Sequence, residues 1–143
     1  MTTDDRLIYQ LSVAQRTLRD HTHAAFSKAG LHLTIAQAGI LFLLQQKNKR
    51  TMSELGRTVR IDNSAVTRLI DRLERDDLVE RHVARDNRRA IFINITPKGI
   101  AVIDKAKRIV SSINEEVKKG FTLEEIETYK KVLSGIVEKF KTR

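Results

Sequence analysis

Residues 51–96 constrain this chain more than any other stretch, because two helical patterns, a tight turn and two strand patterns follow one another with few residues to spare. The first pattern spans residues 51–59, where Thr51 is placed to cap a helix and Glu54, three residues on, to close a capping box. The second begins at Asp62, Asn63 and Ser64 and runs to about residue 76, with Val66, Leu69, Ile70 and Leu73 recurring at helical spacing. Together they outline a helix-turn-helix. At about 100° per residue the second helix turns Val66, Leu69, Ile70 and Leu73 to one side and Ser64, Arg68, Asp71 and Arg75 to the other, with Thr67 and Arg72 on the flanks.

Residues 78–83 and 90–95 are β-prone, and the polar, turn-forming run 84–89 lies between them. A hairpin beside a helix-turn-helix is a wing. The small, polar start of the second helix, Asn63, Ser64 and Ala65, lets a backbone approach a groove floor before Thr67, Arg68 and Arg72 reach base edges. Arg85, Arg88 and Arg89 at the wing tip suit a phosphate backbone or a narrow minor groove, and Asp86 beside them suits an ion pair that aims one of those arginines. Thr51 and Ser53 stand at a helix N-terminus, where a phosphate is favoured. Each of these has a plainer counterpart, an amphipathic surface helix and a solvated loop.

The residues Leu33-Thr34-Ile35-Ala36-Gln37-Ala38-Gly39-Ile40-Leu41, then Ser53-Glu54-Leu55, then Val66 through Glu74 resemble a MarR-type transcriptional regulator. The resemblance continues through Leu78-Val79-Glu80-Arg81, Asp86-Asn87-Arg88-Arg89 and Ile95-Thr96-Pro97-Lys98-Gly99, so that it covers nearly the whole chain. It implies a sequence-specific regulator of transcription, a repressor, that binds double-stranded DNA as a homodimer on a pseudo-palindromic operator. It also implies release by a small aromatic or phenolic effector held between the dimerisation helices and the winged-helix unit. In the wing the family's pattern is an aspartate, any residue, then an arginine. Here that pattern fits Asp86 with Arg88 or, counting back from Thr96, Asn87 with Arg89, and both assignments stay open.

The expected architecture is mainly α with a small β-wing, an α+β chain forming one domain over residues 1–143. A winged helix-turn-helix unit occupies 34–96, and dimerisation helices occupy 4–29 and 97–143. Leu7, Leu11, Ala14, Leu18 and Ala25 form one narrow apolar seam; Leu123, Ile126, Leu133, Val137 and Phe140 form another after Thr122, an N-cap whose box Glu125 completes. A third seam, Ile103, Ala106, Val110, Ile113 and Val117, follows Thr96 and Pro97, which read as N-cap and first helical residue. Seams this narrow need partners, either one another within a chain or a second copy related by a two-fold axis. Residues 34–47, apolar through Ile40, Leu41, Phe42, Leu43 and Leu44, read as a buried central helix. The basic run 47–50 that follows is either a phosphate contact or a solvated turn. His21 lies near the first seam with Phe26 beyond it, a pair suited to lining an effector pocket or to ordinary packing between subunits.

The formal charge of +9 is not itself the nucleic-acid signal, since nine basic residues face eight acidic ones between positions 51 and 90. Residue type is more telling. All nine of those bases are arginine, whose planar fork suits guanine, phosphate or an intramolecular carboxylate, whereas residues 91–143 carry nine lysines and two arginines. The absence of cysteine excludes disulfides, thiolate zinc sites and a thiol-based redox switch. The four histidines lack i, i+4 pairing, and no nucleophile elbow or phosphate-cradling glycine loop occurs, so neither an enzyme nor a bound metal or cofactor is expected. Without a long apolar run or a leader-like start, a cytoplasmic protein away from membranes is expected. An architectural or protein-interaction module that uses the winged helix without an effector is the alternative.

Overall fold

Thr34 begins the first buried helix because its hydroxyl accepts the Gln37 N–H at 3.1 Å while the Gln37 side chain accepts the Thr34 N–H at 2.9 Å, which satisfies two otherwise orphaned donors. The structure, a computed structural model, describes residues 5–59, 62–86 and 90–141. In chain order these form α1 (Leu7–Lys28), α2 (Ile35–Gln46), β1 (Arg50–Thr51), α3 (Met52–Val59), α4 (Asn63–Arg75), β2 (Val79–Val83), β3 (Ile91–Ile95), α5 (Pro97–Lys118) and α6 (Leu123–Phe140). The chain divides into two compact units, residues 1–109 and 110–143.

The core of the first unit gathers the apolar stripes of its helices over one face of the sheet. From α4 come Val66, Ile70 and Leu73, all fully buried, with Leu69 half-buried beside them, as helical spacing predicts. Ile40, Leu41 and Leu44 of α2, Leu55 of α3, Ile93 of β3 and Ile103 and Ala106 of α5 pack against them, joined by Phe26, Leu31, Leu33, Leu78 and Val79. Phe42, within the apolar run of α2, is the exception: it faces outward at 37 % exposure, with the Lys107 ammonium 5.5 Å from its ring centre.

Two helix ends fix where the chain turns back. At the end of α1 the Leu31 N–H reaches the Phe26 carbonyl at 2.9 Å and the Gly30 N–H reaches Ser27 at 3.0 Å, with Gly30 at φ +77°. The end of α4 repeats the motif, Leu78 to Leu73 at 2.9 Å and Asp77 to Glu74 at 3.0 Å, but here the left-handed position is held by Asp77 at φ +62°. In both, the residues that close the motif are buried apolar pairs, Phe26 with Leu31 and Leu73 with Leu78, the contact that accompanies such C-caps.

The sheet has three strands, not the two of a bare hairpin. All pairs are antiparallel in the order β1-β3-β2, with Arg50 opposite Ile93 and Val79, Arg81 and Val83 opposite Ile95, Ile93 and Ile91. Strand β1 is too short to carry a sequence pattern. It is held by pairing with the free edge of β3, by the Asn48 side chain accepting the Ile95 N–H at 2.9 Å, and by Lys49 at φ +60°. Arg50, expected in a basic connector, is turned inward: its Nε donates to the carbonyls of Leu43 at 3.1 Å and Lys47 at 3.0 Å, satisfying orphan acceptors at the end of α2.

The second unit contains the end of α5, a turn with Gly120 at φ +89°, and α6, which starts on a Thr122–Glu125 capping box. Its lysines pair with glutamates three residues away, Lys130 with Glu127 at 3.2 Å and Lys141 with Glu138 at 2.9 Å. Such exposed pairs contribute only a few tenths of a kcal/mol each.

Candidate nucleic-acid interface

The outer surface of α4 follows from the burial of its inner one. With Val66, Ile70 and Leu73 inside, the side chains of Ser64, Thr67, Arg68, Asp71 and Arg72 are all exposed. Asn63 is the first residue of α4, and its side chain lies outside the described residues. The helix starts on Asp62, whose carboxylate accepts the Ala65 N–H at 2.8 Å and the Ser64 hydroxyl at 2.7 Å, both on Oδ1. The Ser64 hydroxyl, then the Ala65 N–H and then the nearby Arg68 charge hold the Asp62 carboxyl below its ordinary range.

At the start of α3 the Thr51 hydroxyl accepts the Glu54 N–H at 3.1 Å, as an N-cap should, and Ser53 beside it is exposed. On the wing, Arg85 and Asp86 are exposed just beyond β2, where the Ala84 N–H bonds the Ala90 carbonyl at 3.0 Å and extends the ladder. Arg88 and Arg89, the two candidates for the minor groove, lie outside the described residues together with Asn87. Toward the tip the cross-strand pair Val83 and Ile91 is exposed, at 57 % and 39 %.

Sequence pattern did not single out Arg81. Its guanidinium pairs with Asp71 and, at 3.5 Å, with Glu74, so that the base of the wing is strapped to the outer surface of α4 and two of that surface's carboxylates are neutralised. The signal was present as four acidic residues between positions 71 and 77, but only the fold selects which arginine meets them. The Nε of Arg81 is buried without a hydrogen-bond partner.

Nor did the pattern explain Gly99. Thr96 is nearly buried, and its hydroxyl donates to the Asp77 carbonyl at 2.7 Å while accepting the Gly99 N–H at 3.0 Å. Its own N–H reaches the Leu78 carbonyl at 3.1 Å, and Lys98 Nζ reaches the Asp76 carbonyl at 3.0 Å. The end of α4, the end of β3 and the start of α5 therefore meet in one knot. Gly99 is its closest point, since a Cβ there would lie 2.2 Å from the Leu78 carbonyl oxygen.

The expected effector residues separate. Phe26 is only 1 % exposed and packs in the core beside the C-cap of α1, whereas His21 is exposed on α1. A cavity of about 430 Å³ lies among residues 30–33, residues 75–78, Lys98 and Val102. Of the expected dimerisation residues, Leu7, Leu11 and Leu18 on α1 are exposed, as are Leu123, Val137 and Phe140 on α6, with Ile126 and Leu133 half-buried. Tyr9, Tyr129 and Val132 add further exposed apolar surface at 56 %, 52 % and 54 %. Among the described residues no group of His, Asp or Glu could hold a metal ion, and no helix is long and apolar enough to cross a membrane.

Comparison with known proteins places these features in context. The MarR family model matches residues 33–91, a span that takes in α2 through the first residue of β3. The HTH-type transcriptional regulator MhqR of Bacillus subtilis is 30 % identical over 99 residues, which is 69 % of this chain and 67 % of that protein. The multiple antibiotic resistance protein MarR of Escherichia coli is 27 % identical over 108 residues, 75 % of each chain. Among solved structures, the transcriptional repressor CouR bound to a 23-mer DNA duplex superposes with a TM-score of 0.84 at 22 % identity, covering 96 % of this chain and 99 % of that one.

Proposed function

This chain belongs to the MarR family of DNA-binding transcription regulators, and from that premise we propose that it is a repressor that reads a pseudo-palindromic operator as a homodimer. The observation that carries the proposal is the division of α4. Its inner side is sealed into the core by Val66, Ile70 and Leu73, and its outer side presents Ser64, Thr67, Arg68 and Arg72 beside a wing that bears Arg85. That helix enters the major groove. Thr51 and Ser53 hold backbone phosphate, and the wing arginines Arg85, Arg88 and Arg89 follow the adjacent minor groove or backbone, with Asp86 aiming one of them.

The exposed apolar residues of α1, Leu7, Leu11 and Leu18, and those of α6, Leu123, Val137 and Phe140 with Ile126 and Leu133 half-buried among them, are each covered by a second copy. Uncovered apolar surface of this extent is otherwise a liability in water. Two recognition helices related by a two-fold axis require half-sites about one helical turn apart, roughly 10 base pairs centre to centre. The 23-mer duplex that CouR occupies has room for such a pair. A small aromatic or phenolic ligand would lower affinity by changing the distance between the two helices, so that both half-sites can no longer be filled together. The protein acts in the cytoplasm.

Fluorescence anisotropy tests the reading, with the purified protein titrated against a duplex of its own upstream region and a scrambled duplex across a salt series. Two chains per site, preference for the native duplex and weakening with salt are expected. Equal, weak binding to both would favour an architectural role.

A further inference from the structure

The exposed start of α4 carries two oxygen groups that offer only lone pairs to an approaching partner. Asp62 is one of them. Its Oδ1 receives the Ser64 hydroxyl at 2.7 Å and the Ala65 N–H at 2.8 Å, and an exposed aspartate is ionised throughout the neutral range, the more so with these contacts holding its carboxyl below the usual value. An ionised carboxylate has no proton to give, so the Ser64 hydroxyl is the donor in their bond. Serine has one such proton. With it committed to Asp62, Ser64 presents lone pairs alone to anything that approaches the outer side of the helix.

That restriction has a chemical meaning in the major groove. Adenine presents N6–H₂ and cytosine N4–H₂ there, both donors, whereas guanine presents O6 and N7 and thymine O4, all acceptors. A lone pair set against O6 or O4 is repelled and leaves two desolvated acceptors unpaired. For Ser64 to turn its proton toward a keto oxygen it would have to abandon a charge-assisted bond, which is about twice as strong as a neutral one. Arg68, one turn further along the same side, has the opposite character, with donors only.

We propose that Ser64, its proton held by Asp62, is a specificity-determining residue that admits adenine or cytosine and rejects guanine and thymine at the base it faces in each half-site. The inference rests on α4 being the recognition helix, as proposed above, and adds the polarity of one contact to that reading. Asp62, itself an acceptor, reinforces the same choice.

The test is selection from a randomised duplex library by the full-length protein, run in parallel on the wild type, Ser64→Ala and Asp62→Gly. Glycine is tolerated at an N-cap, so the second variant frees the hydroxyl without removing the helix start. For the wild type, one position per half-site should favour amino over keto bases on one strand by about tenfold, the equivalent of one good hydrogen bond. Ser64→Ala should flatten that position and leave the others as they were. Asp62→Gly should keep the position but admit guanine and thymine, because the hydroxyl can then donate. A keto base at the position that Ser64→Ala flattens would overturn the inference. So would a Ser64→Ala variant that changes no position, or an Asp62→Gly variant that keeps the amino preference intact, while the recognition-helix reading survives. Failure of the wild type to enrich any sequence would sink both together.

Discussion

Replacing Gly99 by alanine should destabilise the protein, although alanine is the better helix former. The added Cβ would sit 2.2 Å from the Leu78 carbonyl oxygen and 2.8 Å from Ile95 Cγ1. A relaxed contact needs about 3.5 Å, so roughly 1.3 Å of separation must be found. Leu78 cannot supply it cheaply, since its carbonyl accepts the Thr96 N–H at 3.1 Å and its N–H closes the α4 C-cap at 2.9 Å. If α5 moves instead, Ile103 and Ala106, only 2 % and 1 % exposed, lift from the core and the Thr96 cap on Gly99 lengthens. Overpacking of this kind costs about 1–3 kcal/mol and a weakened cap about 0.5–2 kcal/mol, offset by at most about 1 kcal/mol of helix propensity. A net loss of about 2 kcal/mol is expected. Urea unfolding of wild type and Gly99→Ala at equal protein concentration measures it, and a lowered midpoint with unchanged slope is the expected result. Equal or greater stability of the alanine variant would refute the claim that the Thr96 knot holds α5 at contact distance.

Asp77, at φ +62° in the C-cap of α4, should gain about 0.5–1 kcal/mol on mutation to glycine, which adopts that conformation without strain, and thermal unfolding would show it as a higher Tm. Asp62→Ala should lower the Tm at neutral pH. Because the folded carboxyl titrates below its unfolded value, its contribution is complete above about pH 4 and fades as pH falls through the lower folded value, so the two melting curves should converge in strong acid and stay apart from pH 5 upward. Arg68→Ala should cost about 1–3 kcal/mol of DNA affinity and relax preference at a single base position; an equal loss on every sequence would make Arg68 a phosphate anchor instead. Phe140→Asp, at a side chain 78 % exposed, should shift the protein from dimer to monomer in sedimentation, and an unchanged oligomeric state would remove Phe140 from the proposed seam.

Much of this fold could be read before any coordinates because its punctuation is local. A cap depends on residues three apart, so Thr51, Thr96 and Thr122 announce their helices in the chain itself, and the inward side of α4 follows from a spacing of three and four. The residue types of the candidate interface, small and polar at the start of α4 and arginine beyond, were legible for the same reason. Contacts between distant residues were not. Strand β1 exists because β3, some forty residues on, offers a free edge, and two residues carry no periodicity to announce it. Arg50 could have faced solvent or phosphate, and only the approach of the α2 C-terminus turns it inward. Nine arginines between positions 51 and 90 looked alike in sequence, yet the fold commits Arg81 to Asp71 and Glu74 while leaving Arg68 and Arg72 on the exposed side. Phe26 read as pocket lining or as packing between subunits, and the turn at Gly30 that brings Leu31 back against it buries it within the chain's own core, a contact no local pattern announced. Sequence alone therefore determined where the capped helices begin and which side of α4 is apolar. Tertiary structure decided which polar groups spend their hydrogen bonds on the protein itself, because that depends on what the folded chain brings within about 3 Å.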